Sequence, residues 1–275
     1  MSLYNIRQGL LKPVFDALED AFGKLSIDFY LIGAIARDIW YAKGNANSTA
    51  TRDIDFAVFI ADHEDYNKLK EYLVQQKNFV ESNTNAFTII SPEGLVVDVL
   101  PFGEIEIDNK INMSGEGLTS IKVNGFQEVY NSGTEIIEFG NGHAFSVATL
   151  SSIVLLKLIS FDDRPEQRLK DPGDIASIIQ NYFDLKSDTI YANHADLFEN
   201  ENFTLQKAAA RVIGRGIKNT VESNTVLKER IIRILANHIS QGDQSIFARN
   251  MQSGNDFVLS VAMDWLTEML TGITE

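Results

Sequence analysis

Near residue 146 the hydrophobic period of this chain changes, and that change limits the folds open to it more than any other feature. Upstream, the apolar runs are short and either continuous or alternating: "IDFYLI" (27–32), "AFTII" (86–90), "LVVDVL" (95–100), "SIKVN" (120–124) and "GHAFSVA" (142–148). These read as strands. Three helical stretches accompany them. Residues 6–23 space Leu10, Val14, Leu18 and Phe22 at helical intervals, "AIARDIWYAK" (34–43) is stopped by Gly44 at a C′ position, and "HEDYNKLKEYLVQQ" follows at 63–76. Residues 44–51, "GNANSTAT", make a small polar loop. Downstream, "SVATLSSIVLLKLISF" is helical in period, and "DPGDIASIIQNYF" opens with Asp171 as a cap and Pro172 at N1. Helical patterns continue at 203–218, 225–239 and 256–271. The expected layout is therefore a mixed α and β domain over 1–150 and a helical domain over 151–275, without a flexible linker.

A chain of 275 residues has room for two such domains, and 44% apolar with 23% charged residues is the balance of a soluble globular protein. The longest apolar run, around Ile153–Leu156, is broken by Lys157 and is far too short to cross a bilayer. The first residues lack a signal-peptide apolar segment. With no cysteine there is no disulfide, zinc–thiolate site or thiol nucleophile, and the four histidines have no metal-like spacing. The expected location is cytoplasmic, with no membrane partner.

A net charge of −14 makes the surface as a whole a poor partner for nucleic acid. Most of the negative excess lies in the first half. In the second, Lys207, Arg211, Arg215 and Lys218 share one helical face opposite Leu205, Ala208, Ala209, Val212 and Ile213. That face reads either as the solvated side of an amphipathic helix or as a cationic stripe for an RNA backbone or acidic partner.

The chemistry is carried by acids. In "TRDIDFAVFI" (51–60), Asp53 and Asp55 stand two apart on a strand, so both carboxylates share one face, with Cα atoms roughly 6.5 Å apart. Like charges that close call for a cation between them. A third acid, Asp98, lies in "LVVDVL", which looks buried on both sides, where a lone carboxylate is expensive unless paired or metal-bound. Upstream, "FYLIG" meets a tight turn at Gly33–Ala34 and enters a helix. The small residues and the helix N-terminus together suit a phosphate. Each feature also has a plain structural reading: Asp53 and Asp55 pointing into water, Asp98 as a satisfied structural acid, and Gly33–Ala34 as an ordinary helix entry.

The stretches "LIGAIARD", "TRDIDFAV" and "VVDVL" together resemble the nucleotidyltransferase superfamily of the DNA polymerase β type. The resemblance implies an α+β fold: a minimal nucleotidyltransferase domain, with a mixed sheet flanked by helices, followed by an α-helical domain completing the nucleotide and acceptor cleft. It implies that Asp53 and Asp55 bind two Mg²⁺ (or Mn²⁺) ions with the nucleotide phosphates. Asp98 completes the second site and acts as, or positions, the base for the incoming hydroxyl. "FSVATLSSIVLLKLISFDDRPEQRLKDPGDI" (145–175) is similar to the post-catalytic helix of the toxin and abortive-infection branch. By that likeness Lys157 contacts the triphosphate, and Arg164, Arg168, Lys170 and Asp174 shape the nucleotide site. The chain departs from the family in having Ala34 where a second glycine or a serine is usual. "GAIARD" is also similar to the Gly-Gly-x-Val-Arg-Asp of tRNA CCA-adding enzymes, which makes Arg37 and Asp38 substrate-facing. Against these roles, Lys157 can snorkel from an apolar helix, and Asp171 and Asp174 are natural N-cap and N3 residues.

The implied function is metal-dependent transfer of NMP from an NTP, ATP among them, to a hydroxyl of RNA or tRNA, a protein or a small molecule. The branch resemblance adds a toxin-like role with an antitoxin partner. Two other classes remain open: a non-catalytic nucleotide-binding or interaction protein on the same fold, and a nucleotide-sugar glycosyltransferase, which leaves the turn and Asp98 unexplained.

Overall fold

The computed structural model describes residues 3–44, 53–114, 117–138, 144–199 and 203–275, with residues 3–10 described by their backbone alone. The loop expected at 44–51 lies outside the described residues except for Gly44, as do the first residues of the 142–148 stretch. The chain divides into two units, one of Met1–Tyr130 with Thr134–Ala148, the other of Asn131–Gly133 with Thr149–Glu275. Among the described residues no helix is long and apolar enough to cross a membrane.

The first unit runs α1 (Leu3–Leu25), β1 (Phe29–Ile32), α2 (Gly33–Lys43), β2 (Asp53–Phe59), α3 (His63–Lys77), β3 (Val80–Glu81), β4 (Thr88–Ile90), β5 (Val96–Phe102), β6 (Lys110–Asn112), β7 (Ser120–Lys122), α4 (Phe126–Ser132), β8 (Thr134–Glu138) and β9 (Ala144–Ala148). Seven strands form one mixed sheet in the order β3-β4-β5-β2-β1-β9-β8, and β6 pairs with β7 in a separate hairpin. β2 runs parallel to β5 and antiparallel to β1, while β4 runs antiparallel to β5. Strand alternation sends Phe29, Phe56 and Phe145 to one face, where they meet Phe15 and Phe22 of α1 at ring separations from 4.3 to 6.4 Å. The opposite face carries Tyr30, Phe59 and Phe102, packed on Phe126 and Tyr130. Tyr30 donates its hydroxyl to the Phe126 carbonyl at 2.8 Å, and burial holds that hydroxyl well above the usual tyrosine range.

"LVVDVL" is not buried on both sides as its composition suggested. Val97 and Val99 are buried on the α1 face, whereas Val96, Asp98 and Leu100 are half-buried on the other. The strand therefore alternates, and Asp98 shares its face with other polar groups instead of standing alone in the core. Nor does Gly44 take up a left-handed C′ position; it caps α2 at φ −96°.

The second unit comprises α5 (Leu150–Asp163), α6 (Asp171–Asn193), a 3-10 helix (Ala195–Glu199), α7 (Leu205–Val221), α8 (Thr225–Ser240), a 3-10 turn (Gly242–Gln244), α9 (Ile246–Gln252) and α10 (Leu259–Thr274). Ser146–Ala148, which the sequence assigned both to the strand stretch 142–148 and to the start of a helix, end β9, and α5 begins after Thr149, whose hydroxyl accepts the Ser152 amide at 3.2 Å. α7 and α10 pack tightly at Gly214 and Gly272, where a Cβ would overlap the partner helix's backbone.

Candidate functional site

The register of the sheet builds the site in the first unit. Asp55 pairs with Ile32 of β1 on one side and with Asp98 of β5 on the other, and Asp98 pairs in turn with Thr88 of β4. Paired residues of adjacent strands point to the same face, so Thr88, Asp98, Asp55 and Ile32 form one row across the sheet. The sequence-predicted acids Asp55 and Asp98 thus come together, both half-buried, about 4.8 Å apart along the hydrogen-bonding direction. Asp53, on the same face one pleat away and paired with Val96, is exposed. Two carboxylates at such a spacing repel by about 3 kcal/mol at an effective dielectric of 20, a cost that a divalent cation removes.

Gly33 closes the row. It follows Ile32 directly, at φ 66°, in the left-handed region that disfavours side chains. A Cβ there would also overlap Asp55 Oδ2. The residue thus has to be glycine for two independent reasons, and the second lies in the acid it faces. α2 starts at Gly33 with Ile32 at its N-cap, so no side chain caps it, and the helix opens on backbone N–H groups of Gly33, Ala34 and their successors. Ala34 is half-buried in this first turn.

Thr88 was not foreseen from the sequence. It is 7% exposed, and its hydroxyl donates to Asp98 Oδ1. Nothing local in "AFTII" marks the residue, since its role depends on a strand register set by residues ten positions away.

Other predicted residues are placed elsewhere. Arg37 is buried, its guanidinium 3.0–3.1 Å from Asp38 Oδ1 and 5.7 Å from the Tyr41 ring centre. In the second unit Lys157 does not snorkel: Nζ donates to Asp171 Oδ1 at 2.8 Å and Asp174 Oδ2 at 2.6 Å. Asp171 is consequently not the cap. It occupies the first position of α6 after Lys170, with its carboxylate drawn to the ammonium of α5. Arg164 ends α5, half-buried, and Arg168 and Lys170 are exposed in the turn before α6. Arg168 Nε lies 3.9 Å from Asp171 Oδ2, whereas Arg164 and Lys170 have no side-chain partner among the described residues.

Three of the four cations in the α7 stripe are paired with acids of the same unit. Lys207 reaches Asp264 at 3.0 Å, Arg211 reaches Glu268 at 2.6 Å and Glu275 at 3.0 Å, and Arg215 pairs with Asp196 and Glu275. These pairs hold the Asp196 and Glu275 carboxyls below their usual range.

The donor set of Asp53, Asp55 and Asp98 is all hard oxygen, which suits Mg²⁺ or Mn²⁺. Among the described residues no three His, Cys, Asp or Glu side chains form a ready-made metal cage. Mg²⁺ seldom uses one, since it binds through one or two carboxylates together with substrate phosphates and retained waters. The Asp55–Asp98 pair fits that mode.

No protein-family model matches the chain, and no curated protein matches it. Among solved structures it is similar to the antibiotic-resistance factor ANT(2'')-Ia, at 11% identity over 69% of this chain and 96% of that one, with a TM-score of 0.37. It is also similar to an antigenic nucleotidyltransferase-like protein from Paracoccidioides brasiliensis, at 16% identity over 72% and 92%, with a TM-score of 0.39. At this level of similarity the chemistry of the site rests on its own geometry.

Proposed function

We propose that this protein is a metal-dependent nucleotidyltransferase that moves NMP from an NTP to a hydroxyl acceptor. The observation that supports the reading best is the in-register pair of Asp55 and Asp98, set against a glycine that cannot carry a side chain, at the uncapped start of α2. Asp53, Asp55 and Asp98 hold the divalent cations. When bound, those cations stabilise the attacking and leaving oxygens of an in-line displacement. Backbone N–H groups at Gly33 and Ala34 bind phosphate oxygens with the help of the helix dipole. Asp98 accepts the proton of the acceptor hydroxyl as its oxygen bonds to the α-phosphorus. The bond from that phosphorus to the bridging oxygen breaks, and pyrophosphate leaves.

The acceptor is not a long polyanion. The net charge is −14, and three of the four cations in the stripe that the sequence offered for an RNA backbone are paired with Asp196, Asp264, Glu268 and Glu275. A small molecule or a protein side chain carries the hydroxyl.

The test is incubation of wild type, Asp55→Asn and Asp98→Asn with Mg²⁺ and each α-labelled NTP, against separate RNA, protein and small-molecule fractions of a cell extract. Label transferred by wild type alone, outside the RNA fraction, supports the reading. No transfer to any fraction, with no Mg²⁺-dependent NTP binding by calorimetry, overturns it.

A further inference from the structure

We infer that Thr88 is a positioning residue for Asp98, an inference that rests on the metal-dependent reading above. Three observations carry it. First, the antiparallel register sets Thr88 directly beside Asp98, on the side away from Asp55, so the order across the sheet is donor, acid, acid. Second, the Thr88 hydroxyl donates to Asp98 Oδ1 rather than to its own backbone. Third, Thr88 is buried at the start of a strand whose other members are Ile89 and Ile90. A hydroxyl there is costly unless it is hydrogen-bonded.

The physical need follows from the pair itself. An aspartate carboxylate turns about two single bonds, and a like charge one strand away drives it outward. A β-branched donor held stiffly at χ1 in a paired strand fixes that rotation before any cation arrives. Outer partners of this kind orient metal-binding carboxylates, and their removal typically weakens metal binding about 10- to 100-fold. Thr88 touches neither the nucleotide nor the reacting oxygen in this account; it acts through Asp98.

The test uses the full chain with Thr88→Val, which keeps the shape and strand preference and loses the donor, and Thr88→Ser, which keeps the donor and loses the methyl group. Mn²⁺ is titrated, with the α,β-methylene analogues of the four NTPs present, and followed by water-proton relaxation; thermal melting is recorded alongside. The expected result is a dissociation constant about 10- to 100-fold weaker for Thr88→Val and within about threefold of wild type for Thr88→Ser. Thr88→Val binding like wild type overturns the inference and leaves the proposed function standing. Loss in Thr88→Val that Thr88→Ser fails to restore, in step with lowered melting of both, assigns Thr88 to packing and overturns it as well. A wild type that binds no Mn²⁺ under any of these conditions is a different outcome: it overturns the proposed function, and the inference with it.

Discussion

Replacing Gly33 with alanine tests the site through a single added carbon. The backbone cost is that of an L-residue in the left-handed region, about 1–2 kcal/mol. For a unit of this size that corresponds to a fall in melting temperature of very roughly 2–8 °C. The added methyl also claims space that Asp55 Oδ2 occupies, so the carboxylate has to leave its position. A displacement of about 1 Å in a reacting constellation costs on the order of 100-fold in rate. Gly94 supplies the control: its φ is 78°, and a Cβ there meets nothing within 4 Å. Gly94→Ala pays the same backbone cost without touching any acid. Gly33→Ala should lose more stability than Gly94→Ala in calorimetry, and it alone should lose nucleotide transfer and Mn²⁺–nucleotide binding. In an Asp55→Ala background the excess destabilisation of Gly33→Ala over Gly94→Ala should vanish, because the overlapping group is gone. Gly33→Ala with full transfer activity, or with the same excess whether or not Asp55 is present, would refute the reasoning.

Two further outcomes follow from the second unit. Lys157→Met leaves the Asp171 carboxylate buried without its ammonium and should destabilise by about 3 kcal/mol, with Asp171→Asn in the same chain restoring most of the loss; urea denaturation measures both. His238, stacked on Phe247 at 4.9 Å, and His194, beside Arg215, are each held below the ordinary histidine range, chiefly by burial. The unfolded chain therefore binds more protons than the folded one as pH falls through about 6.5. Stability contributed by the neutral rings is full above that pH and lost below it. The melting temperature should drop from pH 7.5 to 5.5, and the drop should shrink in a His194→Gln/His238→Gln double variant.

What the sequence revealed and what it hid divide along the range of the interactions involved. The alternation of Asp53 and Asp55 is local, since a period of two puts both on one face in any register. The glycine between β1 and α2 is equally local. The pairing of Asp98 with Asp55 is not, because it depends on a parallel register between strands more than forty residues apart. Thr88 depends on a second register and looked like any strand threonine. "VVDVL" misled because Val96 and Leu100 carry the same letters whether fully or half-buried. The α7 stripe stayed open for the same reason of range: its four cations are visible at helical spacing, but the acids that meet three of them come from α10, from Glu275 and from the 3-10 helix. Asp171 before a proline is a sound local cap signal, and an ammonium from another helix overrode it.

The most direct measurement is a crystal of the protein grown with Mn²⁺ and a non-hydrolysable NTP, with data collected for Mn²⁺ anomalous scattering. The account predicts an anomalous peak bonded to oxygens of both Asp55 and Asp98, with the triphosphate running to the backbone of Gly33 and Ala34. Nucleotide density elsewhere on the chain, or an Asp55–Asp98 pair that remains without a peak beside bound nucleotide, would contradict it.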